Sequence, residues 1–428
     1  MASQDVGTVI VGAGIAGIAA AYYLCIEQQQ KSVLLIDSRK PMSFTSAQSG
    51  DNYRNWWPHR TMTDFTNDSI DELDRIARDS KNVFNMTRRG YVLATRQPDV
   101  KAVVCAIPGD IDVDVYDNKK AIRQKFPALA TDINNVIHIR RGGDISGQQL
   151  GQYMLERFRE AGGKRLPGEL VAIDVGSRYQ LDMNTAAGNT VITADVLVNA
   201  AGPFVSRIAG MLGVELPVKN IYQQKIAFQD HRNAVPRDMP FSIDLDTKFL
   251  EWSEEERELL AEDPELRSLA EEMPPGTHCR PDGGPHGQWV KLGWAYNEQP
   301  GNPQEDMANE PAIDQSFPEI VLRGAAQLIP ALQPYVVTLP RRFSHYGGYY
   351  TMTEENWPLI GPLDDKAAFV IGALSGFGSM GACAAGRLCA AHICGGPFPG
   401  YAADLSLDRL TNVELLAELR TAASKGLL

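Results

Sequence analysis

Short apolar runs and glycine turns set the order of this chain. Residues 8–11 (TVIV) form an unbroken apolar run of strand length, residues 12–17 (GAGIAG) make a glycine turn, and residues 18–24 continue as a small-residue helix. A second apolar run, 32–36, ends on Asp37, twenty positions past Gly17 (37 − 17). Farther along, Ile70, Leu73 and Ile76 recur at helical spacing and predict an amphipathic helix over 68–80. Residues 89–95 (RGYVLAT) predict a strand, and 120–126 part of a helix. Gly142 and Gly143 predict a turn before a helix over 148–161, which Gly162 and Gly163 close as a C-cap. The run 190–200 (TVITADVLVNA) predicts another strand. It empties into Ala201 and Gly202, where a ligand can approach the backbone closely.

Between residues 245 and 285 the pattern changes. Ser253 followed by Glu254, Glu255 and Glu256 reads as a capping box that opens an acidic helical segment to about residue 272, with Leu259, Leu260, Leu266 and Leu269 on one side. This segment reads as an insertion that lies over a substrate entrance, makes a subunit contact, or is a solvated excursion. The next run, 288–296, alternates as a strand, placing Trp289, Lys291 and Gly293 opposite Val290, Leu292 and Trp294. A strand over 367–371 then leads into a glycine loop at 372–381 (GALSGFGSMG) and a small-residue helix over 382–394.

A strand, a GxGxxG turn, a helix and an acid at this distance form a dinucleotide-binding fingerprint. Its glycines allow a tight turn, close approach of backbone to a pyrophosphate, and packing of helix on strand. The helix N-terminus turns unpaired N–H groups toward phosphate, and Asp37 accepts from ribose hydroxyls. A second glycine loop and helix N-terminus at the far end do not suit a nicotinamide enzyme, which needs one fingerprint per dinucleotide. They suit FAD, with the pyrophosphate at one end and the flavin ring at the other, where a helix dipole favours the reduced anion. The loop 38–58 adds hydroxyl residues, then Trp56 and Trp57 beside Arg54, His59 and Arg60. The two tryptophans either line a pocket or reach back into the core.

Composition narrows the partners. The net charge of -12 argues against nucleic acid or an anionic membrane surface. No apolar run has the length of a membrane span and no basic-then-apolar leader opens the chain, so the expectation is a cytoplasmic protein, a monomer or small homo-oligomer. The six cysteines form no CxxC pair and predict free thiols. At 428 residues the chain predicts two or so domains.

The motifs GAGIAG (12–17), TSAQSGD (45–51), VNAAGPF (198–204), WPLIGP (357–362) and GALSGFGSMGACAAG (372–386) together resemble the D-amino-acid oxidase superfamily of FAD-dependent oxidoreductases, nearest to the sarcosine oxidase and glycine oxidase branch. The resemblance implies an α/β fold (α+β overall), with a Rossmann-like FAD-binding domain (1–88, 140–215 and 345–428) interleaved with an antiparallel-sheet substrate domain (89–139 and 216–344). It implies FAD contacts at Gly12, Gly14, Ile15, Ala16 and Gly17, at Asp37, Ser38 and Arg39, and at Thr45, Ser46, Ser49 and Gly50. Further contacts fall at Val171, Ala201 and Gly202, and at Gly376, Gly378, Ser379 and Met380. It also implies oxidation of an amine or amino acid at its C–N bond, with hydride transfer to flavin N5, an imine product, and reoxidation by O2 to give H2O2.

Lys291 would by itself read as a solvent-face lysine. The resemblance makes it the residue that promotes reaction with oxygen, and it keeps Tyr350 as a pocket tyrosine. Other family positions are replaced: the carboxylate-binding arginine falls on Trp57, the carboxylate-binding lysine on Met380, a histidine on Ala295, and the cysteine that carries covalent flavin on Gly348. The expectation is non-covalent FAD and an aromatic pocket built from Trp57, Trp294, Met380 and Tyr350, with Arg54, His59 or Arg60 to hold an acid. The alternatives are an FAD dehydrogenase that passes electrons to a quinone or carrier protein, and a non-catalytic flavoprotein assembly factor.

Overall fold

Val9 and Ile10 are fully buried on opposite sides of one strand, Ala2–Val11. A strand covered on both faces belongs to a parallel sheet, and here Gly188–Asn199 and Val33–Asp37 flank it in parallel. The structure is a computed structural model that describes residues 2–105, 111–264, 266–284, 286–297, 299–301, 303 and 313–421. Glu265 and Pro285 of the expected insertion, the Cys105 side chain, and the last seven residues of the expected FAD-binding segments lie outside the described residues.

The first sheet runs in the order Leu359–Pro362, Ala368–Gly372, Gly188–Asn199, Ala2–Val11, Val33–Asp37, Lys164–Pro167, with Leu359–Pro362 antiparallel at its edge. Helices Ile15–Ile26, Arg60–Asp79, Gly147–Glu160 and Gly378–Cys394 cover one face. An antiparallel meander through Glu169–Val175 and Tyr179–Thr185 covers the other, with the short helix Val205–Met211.

Three helices begin earlier than the apolar spacing predicts. Arg60–Asp79 starts eight residues before position 68 (68 − 60), because its first turns bury Thr63 and Thr66, whose hydroxyls are spent on backbone carbonyls. The glycine loops run directly into Ile15–Ile26 and Gly378–Cys394, each a turn ahead of its expected start. Gly142 and Gly143, expected as a turn, form a strand, Gly142–Asp144, paired with Asn52–Arg54. The missing side chains let it approach closely: a Cβ on Gly143 would lie 2.1 Å from the Thr87 carbonyl oxygen.

Among the described residues the second sheet has nine strands. It is antiparallel except where Phe241–Asp244 pairs in parallel with Tyr91–Thr95. Phe343–Met352 pairs along its whole length with Lys219–Gln229, so this sheet extends past residue 345, where the FAD-binding segment was expected to resume. The helix Phe317–Leu328 packs on one face of the sheet, with Ile226, Phe228, Leu292 and Trp294 beneath it.

The acidic insertion joins that same core. Its capping box is present, but the helix stops at Glu262 and a separate turn, Arg267–Ala270, follows. The break puts Leu260 and Leu269 inside and leaves Leu259 67% exposed. The part of the insertion over 254–270 therefore lies on the helix-covered face of the sheet, whereas its last strand, His278–Asp282, is a member of the sheet itself.

Candidate active site

Two adjoining cavities open at the carboxyl ends of the parallel strands, the position where open α/β sheets take their ligands. The first is lined by Gly12, Ala13, Asp37, Ser38 and Arg39, and by Leu170 and Arg207. The second is lined by Ile15, Ala16, Ser49 and Gly50, by Tyr350, and by Ser375, Gly376, Gly378 and Ser379. Gly14, Thr45, Ser46, Ala200, Gly202 and Pro203 line both, and Ala201 lines the first, so the space is continuous.

The backbone geometry explains these residue types. Gly12 has φ +110°, and a Cβ there would sit 2.3 Å from the Ala200 carbonyl oxygen. A Cβ on Gly17 would sit 1.9 Å from the Gly12 carbonyl oxygen. Gly17 lines neither cavity; it seats the helix against the turn. The Asp37 carboxylate accepts from the backbone N–H of Ala13 (2.6 Å) and Arg39 (2.7 Å), while Ile15 N–H donates to Ser46 Oγ (3.0 Å). Neither cavity helix has a capping side chain on its N-cap residue, and apart from the Ile15 N–H, which Ser46 takes, the N–H groups of the first turns face a ligand. In the far loop Ala373 and Ser375 take φ +54° and +43°, a strained conformation for residues with a Cβ. Ser379 Oγ lies 3.0 Å from Ser49 Oγ and ties that loop to the first.

Several expected site residues lie elsewhere. Val171 is 54% exposed and does not line the cavity; its neighbour Leu170 does, because alternate residues of a strand face opposite ways. Met380 is buried in the helical core, its sulfur against the Arg54 N–H (3.2 Å) and its carbonyl accepting from Ser69 Oγ. Trp57 is likewise core, edge-on to Phe377. The Arg54 guanidinium lies over the rings of Trp57 (4.8 Å) and Tyr91 (4.7 Å), with Nε donating to the Trp56 carbonyl. His59 caps the helix Arg60–Asp79, its Nδ1 accepting from Thr61 N–H, and packs on Trp357. Arg60 pairs with Asp64 on the surface. Trp294 is 1% exposed under the helix-covered face, its Nε1 donating to the Pro274 carbonyl.

The opposite face of the second sheet carries the charge. Arg280 stands across from Lys291, and Lys225 across from Gly293 and Tyr346. Arg280 donates through Nε to the Gly50 carbonyl (3.0 Å), which joins this sheet to the wall of the second cavity. Asp282 lies 3.0 Å from Arg280 and 3.6 Å from Lys291. Burial acts to raise the Asp282 carboxyl, but Arg280 and then Lys291 outweigh it and hold it below the usual carboxylate range. Burial pushes the Lys291 amine down, Arg280 adds to the effect, and Asp282 opposes it. Burial pushes the Tyr346 hydroxyl up. Lys225 donates to the Tyr350 hydroxyl at 3.0 Å.

Sequence reasoning missed Lys225, Arg280 and Asp282. The signal was present: in Lys219–Gln229 the buried Ile226 and Phe228 sit on one face, and period two sends Lys225 to the other. Among the described residues no group of three His, Cys, Asp or Glu side chains could hold a metal ion, and no helix is long and apolar enough to cross a membrane.

Residues 8–392 match the family described as DAO: FAD dependent oxidoreductase. The chain belongs to this family. As a DAO-family member it is an FAD-dependent oxidoreductase. A search among curated proteins finds no match. Among solved structures, it is similar to L-proline dehydrogenase from P. horikoshii, at 16% identity and TM-score 0.76 over 96% of this chain and 99% of that one. It is similar to glycine oxidase from Geobacillus kaustophilus at 15% identity and TM-score 0.75, over 94% and 98% of the two chains. It is also similar to NikD, an amino acid oxidase essential for nikkomycin biosynthesis, at 16% identity and TM-score 0.70, over 94% and 97%. At these identities the likeness is one of fold. The DAO-family cavity fits the cofactor on its own geometry: Thr45 Oγ1, a residue of both cavity walls, is buried with no hydrogen-bond partner, and Gly12 makes room where a Cβ would collide.

Proposed function

We propose that the chain oxidises an amine or amino acid at its C–N bond and is reoxidised by O2, yielding an imine, which hydrolyses in water, and H2O2. When bound, FAD supplies the acceptor for the hydride leaving the carbon beside nitrogen. On this reading Gly12, Gly14 and the two helix N-termini bind the cofactor, Asp37 holds its ribose, and Ser375 to Ser379 hold the end nearest Tyr350. Gly348 replaces the cysteine of covalent relatives, and no cysteine among the described residues lines either cavity, which supports non-covalent FAD. An amine lone pair drives hydride loss without a protein base.

The observation that carries the oxidase reading is Lys291, held with Arg280 on the sheet face that meets Gly50. A half-buried cation there stabilises the negative charge that O2 acquires as it is reduced. The test is an anaerobic screen of amines and amino acids for loss of the yellow flavin band, followed by admission of air. Fast return of the band with H2O2 supports the oxidase; reduction followed by slow return overturns it.

One observation favours a second reading, a dehydrogenase that delivers electrons to a quinone or carrier protein. Asp282, 3.6 Å from Lys291, offsets part of its charge, and one similar fold is a proline dehydrogenase. Slow reoxidation in air with fast reduction of a quinone dye would select it. The acidic insertion gives little support to a non-catalytic assembly role, because Leu260 and Leu269 are used in the core of this chain and only Leu259 is left exposed among the leucines of its helix.

A further inference from the structure

Lys225 is a cation of the charged face that the proposed chemistry leaves without a role. It is 5% exposed, on Lys219–Gln229 between the strands Trp289–Gly293 and Phe343–Met352. Its amine donates to Tyr350 and lies 4.9 Å from that ring. Its stem runs under the cavity wall, 3.9 Å from where a Cβ on Gly50 would be. Arg280, Lys291 and Lys248 each have a carboxylate at 3.0, 3.6 and 2.6 Å. Lys225 has none within 4.0 Å among the described residues.

A buried ammonium without a counter-charge is costly, and a neutral phenol only partly offsets it. The hydrogen-bond inventory shows what is missing. An ammonium has three N–H donors, and the Tyr350 oxygen takes one. Tyr350, accepting from the lysine, has its own O–H left to donate. The pair therefore presents N–H and O–H donors and a positive charge beside the cavity, with no anion to receive them. The positions that would hold a carboxylate in the resembled family are unavailable, since Trp57 and Met380 are packed in the helical core.

We infer that Lys225, together with the Tyr350 hydroxyl, binds the carboxylate of the substrate, so that the protein acts on amino acids or other amines bearing an acid. This rests on the proposed C–N oxidation at the same cavity. Lys225 and Tyr350 come from adjacent strands, so a carboxylate held between them is fixed by the sheet rather than by a loop.

The test uses the FAD-loaded protein and four acid probes, acetate, propionate, benzoate and phenylacetate, each against its amide. Binding is followed by perturbation of the flavin absorption band. At least one acid is expected to bind and its amide to bind more weakly. Lys225→Met should weaken that acid roughly 10- to 100-fold, Lys225→Arg should recover much of the loss, and Tyr350→Phe should weaken it by a smaller factor. Wild-type protein that binds none of the four acids overturns the inference, as does Lys225→Met with unchanged acid affinity. Slower reoxidation by O2 in Lys225→Met with acid affinity retained also overturns it and assigns the lysine to the oxygen step. The C–N reading fails separately, if no amine bleaches the flavin although an acid binds at Lys225.

Discussion

Lys291 and Trp294 lie three positions apart on one strand run and serve opposite faces of the second sheet. Lys291 faces Arg280 and the cavity wall, whereas Trp294 sits under the Phe317–Leu328 helix, against Gly324. An odd spacing on a strand enforces this separation. The two residues cannot serve one pocket, and their substitution should separate cleanly in experiment.

Trp294→Ala should cost about 3–5 kcal/mol of stability, the usual loss for a fully buried large aromatic. FAD affinity and the KM for substrate should stay near wild type. Urea denaturation with flavin titration measures both. A raised KM without loss of stability would return Trp294 to the pocket.

Lys291→Met should slow reoxidation of the reduced protein by O2 about 10²-fold, the scale for removing one preorganised charge from a developing anion. Anaerobic reduction by substrate should proceed as in wild type. Stopped-flow absorbance of the two half-reactions decides, and equal slowing of both would make Lys291 structural.

The pH dependence has a definite sign. Burial, and Arg280 after it, hold the folded Lys291 amine below its ordinary value of about 10.4. It is charged below its folded pKa and neutral above it. Reoxidation should therefore fall as pH rises through a value under about 10.4, and Lys291→Met should lack this limb.

Thr45→Val should reduce FAD affinity about tenfold, because its buried, unpartnered hydroxyl has no role without a ligand. Gly12→Ala should abolish cofactor binding, since the new Cβ meets the Ala200 carbonyl at φ +110°. Flavin retained on gel filtration reports both. A Thr45→Val protein that holds FAD as tightly as wild type would leave its hydroxyl unexplained.

The sequence by itself determined the local machinery of the two cavities. GAGIAG, Asp37 and the loop at 372–381 are contiguous signals in which turn, helix start and strand end are set by nearest neighbours, so Gly12, Gly14, Asp37 and Gly378 were legible and line the cavities. Alternation along 288–296 also gave the two faces of that strand. What it could not give was which face met the cofactor cavity, so Trp294 was placed with Lys291 against the pattern's own logic. Polar residues near the loop 38–58 misled for the opposite reason. Arg54, Trp57 and His59 look chemical in sequence, but Arg54 and Trp57 stack on neighbouring aromatic rings and His59 caps a helix. Only the tertiary structure brought Lys225, Arg280, Asp282 and Lys291 to one face, since they come from strands as much as 66 residues apart (291 − 225), joined by hydrogen bonding across the sheet. Cross-strand register is a long-range property, and it decides where the charge lies.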